Sequence, residues 1–255
     1  LPTSPGCSVP QTSRKCLREI TIIEQITTMD NQTINQVLGA IPQTPSQGSK
    51  SSRPAVDFNI ESQIFRSCLL KVEPKFDIAK ADRRVLNSIF AWIWRRDNIN
   101  VLGLDYDKGF FLYGPLGRGK SMTLLAMRQY MNSVAARHEH MRGDYRLKAW
   151  WKTASELANI YAAEGQPALI QYTDRDVNLV IDEFGREPNP ASNYGTKMNV
   201  LQFVLQLRYD HRRTSVTHIT TNMRLEDIEP RYGDYVADRC KEMFNFIEFE
   251  GDSLR

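Results

Sequence analysis

The feature that most restricts this chain is "FFLYGPLGRGKSMTLL", Phe110 to Leu125. Its apolar opening reads as a short buried strand, and "KSMTLLAMRQYMNSVAARH" from Lys120 onward has the spacing of a helix. Between them Gly114, Gly119, Lys120 and Ser121 satisfy the pattern G-x-x-x-x-G-K-[ST]. A strand that curls through glycines into a helix aims successive backbone N–H groups at one point, and the helix adds the positive end of its dipole. The expected cradle comprises Gly114, Pro115, Leu116, Gly117, Arg118, Gly119, Lys120, Ser121 and Met122. Lys120 is suited to the β- and γ-phosphates of ATP, and Ser121 to Mg²⁺ through its hydroxyl. A glycine-rich turn with an exposed lysine is the competing reading, and the strand-loop-helix context favours the cradle.

Beyond this segment the chain alternates. "VNLVID" and "SVTHITTN" read as strands, "WKTASELANIYAAEG" and "MNVLQFVLQLRYDHRR" as helices. Gly165 is suited to a left-handed cap at the end of the first of these helices. Such alternation predicts an α/β fold, a parallel sheet covered on both faces. Upstream, "NIESQIFRSCLLKV" has helical spacing at Ile60, Ile64, Cys68 and Leu69. "DIAKADRRVLNSIFAWIWRRD" places Val85, Ile89, Trp92 and Ile93 on one face of a second helix.

Composition sets broader limits. With 255 residues, 41% of them hydrophobic, a sizeable core is expected. A net charge of +3 neither demands nor excludes a nucleic-acid partner. No apolar run approaches the roughly 20 residues of a membrane span. Cys7, Cys16, Cys68 and Cys240 have no metal-ligand spacing, which points to a reducing, cytoplasmic setting. Residues 1–28 precede the first methionine, Met29, and read as a leader or loosely held extension without signal-peptide anatomy. "IPQTPSQGSKSSRP" (41–54) reads as a linker. The expected organisation is thus an extension and linker over 1–54, a helical lead-in packed on the core over 55–100, and a nucleotide-binding domain over 101–255.

A bound nucleotide needs further groups. "NLVIDEFG" puts Asp182 and Glu183 at a strand end, where Asp182 would hold Mg²⁺ and Glu183 would act as general base toward water. An acidic pair that only solubilises a strand end is the alternative, and its position after a P-loop argues against that. Asn222, ending "VTHITTN", could reach the γ-phosphate or the water, although asparagine also commonly opens turns.

The segments "GFFLYGPLGRGKS", "LVIDEFGRE", "LQLRYDHRRTSVTHITTN" and "YGDYVADR" together resemble the DnaC/IstB-like branch of AAA+ ATPases, from Asp77 to the chain end. The resemblance implies a three-layer P-loop (ASCE) fold with five parallel strands. It implies ATP at Gly114–Met122, Walker B acids at Asp182 and Glu183, and a sensor at Asn222. It also implies an arginine finger at Arg239 in "VADRC", reaching the nucleotide of a neighbouring subunit in a homo-oligomer. Read from the residues alone, Arg239 is a helix-surface arginine paired with Asp238 or Glu242. Three departures stand out. Arg118 replaces a small residue, Tyr235 occupies the place of a first arginine, and "EFEGDSLR" ends the chain with no C-terminal helical lid. The activity implied is Mg²⁺-dependent ATP hydrolysis that loads a replicative helicase onto single-stranded DNA. A transposase helper on duplex DNA, or an ATP-dependent binding module with little turnover, are the alternatives.

For nucleic-acid contact, "RYDHRR" offers Arg208, His211, Arg212 and Arg213, although cations also favour a helix C-terminus through the dipole. "RLKAWWK" offers Trp150 and Trp151 among Arg146, Lys148 and Lys152 as a stacking platform, with core filling as the favoured reading of the tryptophans. Arg95 and Arg96 read as a solvated helix end.

Overall fold

The structure, a computed structural model, describes residues 56–76, 78, 81–141, 143–144, 147–173, 178–212 and 214–250. The expected extension and linker (1–54), Arg146 and Arg213 lie outside the described residues.

Five parallel strands form the main sheet: β1 (Gly109–Tyr113), β2 (Ala149–Thr153), β3 (Asn178–Phe184), β6 (Thr217–Thr221) and β7 (Phe244–Glu248), in the order β2-β3-β6-β1-β7. A separate antiparallel hairpin pairs β4 (Ala191–Asn193) with β5 (Thr196–Met198). The α/β class and the five-stranded parallel sheet expected from the sequence are both present. Successive β1 residues serve opposite faces. Phe110 packs against Trp92 and His218, whereas Phe111 packs against Phe184, Phe244 and Phe246. Alternation of this kind, with both residues fully buried, makes three layers.

β6 is buried along its whole length despite the polar sequence "THITT". Its hydroxyls are matched: Thr217 accepts from Arg208 Nε at 2.6 Å, and Thr221 donates to the Phe184 carbonyl at 2.6 Å. Buried hydroxyls are tolerable only when so paired.

β2 is an edge strand where the sequence reading began a helix. Thr153 is the N-cap of α4 (Ala154–Glu164): its hydroxyl accepts from the Glu156 N–H, and Glu156 accepts from the Thr153 N–H. That reciprocal cap starts the helix only after the tryptophans. β7 and the hairpin also escaped the sequence reading.

Helix α1 (Phe58–Val72) starts at Asp57, whose carboxylate caps Asn59 and Ile60. Its buried stripe is Glu61, Phe65, Cys68 and Leu69, whereas the expected face residue Ile60 is exposed. Glu61 sets this rotation. It accepts from Tyr130 at 2.8 Å and Arg137 at 2.5 Å and contacts His138 Nε2 at 2.8 Å. Those three partners lie toward the C-terminal end of α3 (Lys120–Arg137), so α1 and α3 run antiparallel. Helix α2 (Arg83–Trp94) is capped by Asp82 and is shorter than the expected 77–97. Among the described residues the other α-helices are α5 (Val200–Asp210), α6 (Ile228–Tyr232) and α7 (Asp234–Met243).

Candidate functional site

β1 ends at Tyr113, and the chain turns through Gly114, Gly117 and Gly119 at φ 129, 78 and 83 before α3 begins at Lys120. These positive φ values are accessible to glycine and strained for other residues. At Gly114 a Cβ would also fall 2.5 Å from the Phe249 carbonyl oxygen. No side chain caps the start of α3, leaving its first N–H groups directed into the turn. An uncapped N-terminus preceded by a glycine loop is a ready anion site.

The Lys120 side chain is buried and folds back over this loop. Its ammonium donates to the carbonyls of Gly114 and Pro115 at 2.7 and 2.6 Å, and to Asn222 Oδ1 at 2.8 Å. Burial, helped by the nearby Arg118 charge and opposed by Asp182, lowers its pKa to about 8. Lys120 and Asn222, 102 residues apart, therefore meet directly, a contact that the sequence does not announce.

β3 and β6 are neighbours, so their C-terminal ends stand side by side. Ser121 Oγ donates to Asp182 Oδ1 at 2.6 Å, and the Thr220 hydroxyl donates to the same oxygen. Thr220 Oγ1 in turn accepts the Glu183 N–H at 3.1 Å. Glu183 sits at φ 57, where the β3–β6 register shifts, and its carboxylate accepts from Arg186 at 2.7 Å. Backbone strain at a strand-end carboxylate is characteristic of a residue held for a task.

A cleft of about 440 Å³ joins these groups, lined by residues 116–122, Asp182, Glu183, Thr220, Thr221 and Asn222. Its remaining wall is Val72, Glu73 and Phe76 from the end of α1 onward, with Leu125 and Trp151. An adjoining cavity of about 170 Å³ lies between α2 and the end of β7, and Phe76 and Arg118 border both. Arg118 Nε is buried and has no hydrogen-bond partner.

Arg239 is not among the residues lining the cleft. On α7 it packs against Tyr209 and Tyr235, with Glu242 Oε1 3.8 Å away. Of the two pairings read from the residues, Glu242 is the one formed, and Asp238 faces Lys241 instead. The basic-cluster readings change more. Arg208 is buried, donating to Thr217 Oγ1 and to the carbonyls of Tyr172 and Val216, so it offers no charge to a phosphate backbone. Trp150 and Trp151 do not fill the core. Trp150 is exposed on the edge strand against Tyr172, and Trp151 borders the cleft. Arg95 ends α2 paired with Asp107, and Arg96 stacks on Phe58.

Thr220, Arg186 and Trp151 join the site without having been singled out for it. For Thr220 a signal existed, since it immediately precedes the strand-end "TN" on the strand beside the acids. Arg186 carried no more than its position three residues after Glu183.

One solved structure shares this fold, and others resemble it more distantly. A protein assigned as a primosome component of Streptococcus pyogenes serotype M3 matches with a TM-score of 0.50 at 20% identity, over 72% of this chain and 87% of its own. A DnaC helicase loader matches at 0.46 and 18%, over 66% and 89%. DnaA from Aquifex aeolicus bound to AMPPCP matches at 0.44 and 16%, over 68% and 48%. No protein-family model and no curated protein matches the sequence. The three-layer fold with the sheet order β2-β3-β6-β1-β7, and the glycine loop following the strand between β6 and β7, is the fold class expected from the sequence.

Proposed function

We propose that this chain binds ATP with Mg²⁺ in the cleft between the P-loop and the ends of β3 and β6, and hydrolyses it. The reading rests chiefly on Asp182 Oδ1, which gathers the hydroxyls of Ser121 and Thr220 from two different elements. One carboxylate and one serine hydroxyl suit Mg²⁺, which keeps waters and takes phosphate oxygens rather than an all-protein cage. The unpartnered Arg118 Nε and the uncapped α3 N-terminus suit an anion in the same place. The bound Mg²⁺ would draw charge from the terminal phosphates.

The chain's own groups divide the remaining work. Lys120 holds charge against the phosphates, and Asn222 orients its ammonium. Glu183 takes a proton from the attacking water, and the Thr220 hydroxyl fixes its backbone. The base and sugar would extend toward the cavity beside Arg118. Arg239 acts in trans on the nucleotide of a second copy of the chain.

The biological reading is a DnaC-type loader that places a replicative helicase on single-stranded DNA. The assignment of the S. pyogenes protein of like fold as a primosome component supports the loader over the transposase helper. The extension, lead-in and ATPase regions keep their proposed bounds of 1–54, 55–100 and 101–255. Glu183→Gln is the test of the chemistry: nucleotide binding should persist while turnover is lost, and retained turnover would refute the assigned base. For the partner, ATP-dependent capture should recover a replicative helicase, and recovery of a transposase instead would overturn the loader reading.

A further inference from the structure

Arg239 is a long side chain with many rotamers, and an exposed one would present its guanidinium at no fixed place. Here it is held on three sides. Its Cζ lies 3.9 Å from the centre of the Tyr209 ring and 4.6 Å from that of Tyr235. Its Nη1 donates to the Tyr209 hydroxyl, which donates onward to Glu242 Oε2 at 2.8 Å. Arg212 completes the assembly, with its Cζ 3.9 Å from the Tyr209 ring and its Nη2 3.4 Å from Glu242. The second arginine thus takes up part of the Glu242 charge. Glu242 stays 3.8 Å from Arg239, too far for a direct hydrogen bond. The guanidinium is oriented by the two rings, and its side chain stays 29% exposed.

We propose that Tyr235 and Tyr209 are positioning residues for Arg239, holding its guanidinium as a preset surface for the phosphates bound by a second copy of this chain. The inference rests on the trans role proposed above. It also gives a reason for the departure at position 235, where an arginine was expected from the resemblance. A ring there supports the remaining cation instead of adding a second. Stacking suits this purpose because it fixes the plane of the guanidinium while leaving its N–H edges available.

The test mixes two chains. Arg239→Ala acceptors keep an intact P-loop and lack the finger, while Lys120→Ala donors keep the finger and cannot turn over ATP. Mixing should restore ATPase activity, and donors carrying both Lys120→Ala and Arg239→Ala should not restore it. Adding Tyr235→Ala to the Lys120→Ala donor should lower the restored kcat at least about tenfold, with KM for ATP little changed, as expected when a group is misplaced rather than lost. Tyr235→Phe keeps the ring under the guanidinium and loses only the hydroxyl contact, so it should preserve far more restoration than Tyr235→Ala. Tyr209→Phe keeps its ring but loses the hydroxyl link, and should give an intermediate kcat. Thermal unfolding and self-association of each donor distinguish positioning from damage to the fold. If Tyr235→Ala donors restore activity as fully as Lys120→Ala donors, the positioning role is overturned and the trans finger stands. If Lys120→Ala donors restore nothing to inactive Arg239→Ala chains, the trans reading itself fails, and the positioning role with it.

Discussion

Lowering the pH from 7.5 to 5.0 should cost this protein about 2 kcal/mol of stability through one residue, His218. Its Nδ1 accepts the Phe110 N–H at 3.2 Å, which places the ring proton on Nε2. Nε2 is buried and has no partner. The ring stacks on Phe110 and meets Trp92 edge-on, inside the layer between β6 and α2. Burial first, and then the Arg208 charge, lowers its pKa from 6.5 to about 3. The folded chain therefore refuses a proton that the unfolded chain accepts below about 6.5. The stabilising contribution is complete above that pH and is lost progressively as pH falls toward 3. At about 1.4 kcal/mol per pH unit, the loss reaches about 2 kcal/mol at pH 5.0. Urea unfolding of the wild type and of His218→Leu at pH 7.5, 6.5 and 5.0 measures it. The variant also leaves the Phe110 N–H without an acceptor, a penalty that does not change with pH, so the slopes are compared and not the absolute stabilities. The wild type should lose about 2 kcal/mol more than the variant across this range. Parallel curves would refute the assignment of a neutral buried ring.

Three other outcomes are expected. Thr220→Val removes the second hydroxyl on Asp182 and the acceptor for the Glu183 N–H, so the Mg²⁺ needed for half-maximal ATPase should rise about 10–100-fold with little change in thermal stability. Gly185→Ala would set a Cβ 2.0 Å from Met223 Sδ at φ 96, next to Asn222; ATPase activity should fall while nucleotide titration still detects binding. Arg208→Met strips donors from Thr217, Tyr172 and Val216 inside the fold, and denaturant unfolding should show a loss of about 1–3 kcal/mol for each acceptor left unpaired, whereas an exposed nucleic-acid contact would cost almost nothing.

What the sequence revealed follows from how each contact is made. Gly114, Lys120 and Ser121 belong to one turn, so their spacing along the chain is their geometry. Asp182 and Asn222 were legible because each lies at or just beyond the C-terminal part of a segment that reads as a strand. Thr220 and Trp151 reach the cleft through strand register, with Trp151 opposite Val180, and no local spacing encodes which strands are neighbours. Arg208 misled for a different reason. Grouped with its charged neighbours it looks solvated, yet Val200, Leu201, Val204 and Leu205 share its helical face, and that phase points it inward. Ile60 shows the converse: a polar residue, Glu61, won the buried face because Tyr130, Arg137 and His138 were there to receive it.

The antiparallel pairing of α1 and α3 makes α1 a strut. Its leading end is bolted through Glu61 to the far end of the P-loop helix, and its trailing end supplies Val72 and Glu73 to the cleft wall. Fifteen residues of helix separate those ends by about 22 Å. Glu61 therefore holds one end of the strut while the other end forms part of the cleft wall, so a change at the Glu61 joint should alter how firmly that wall is held without touching any residue that faces the cleft.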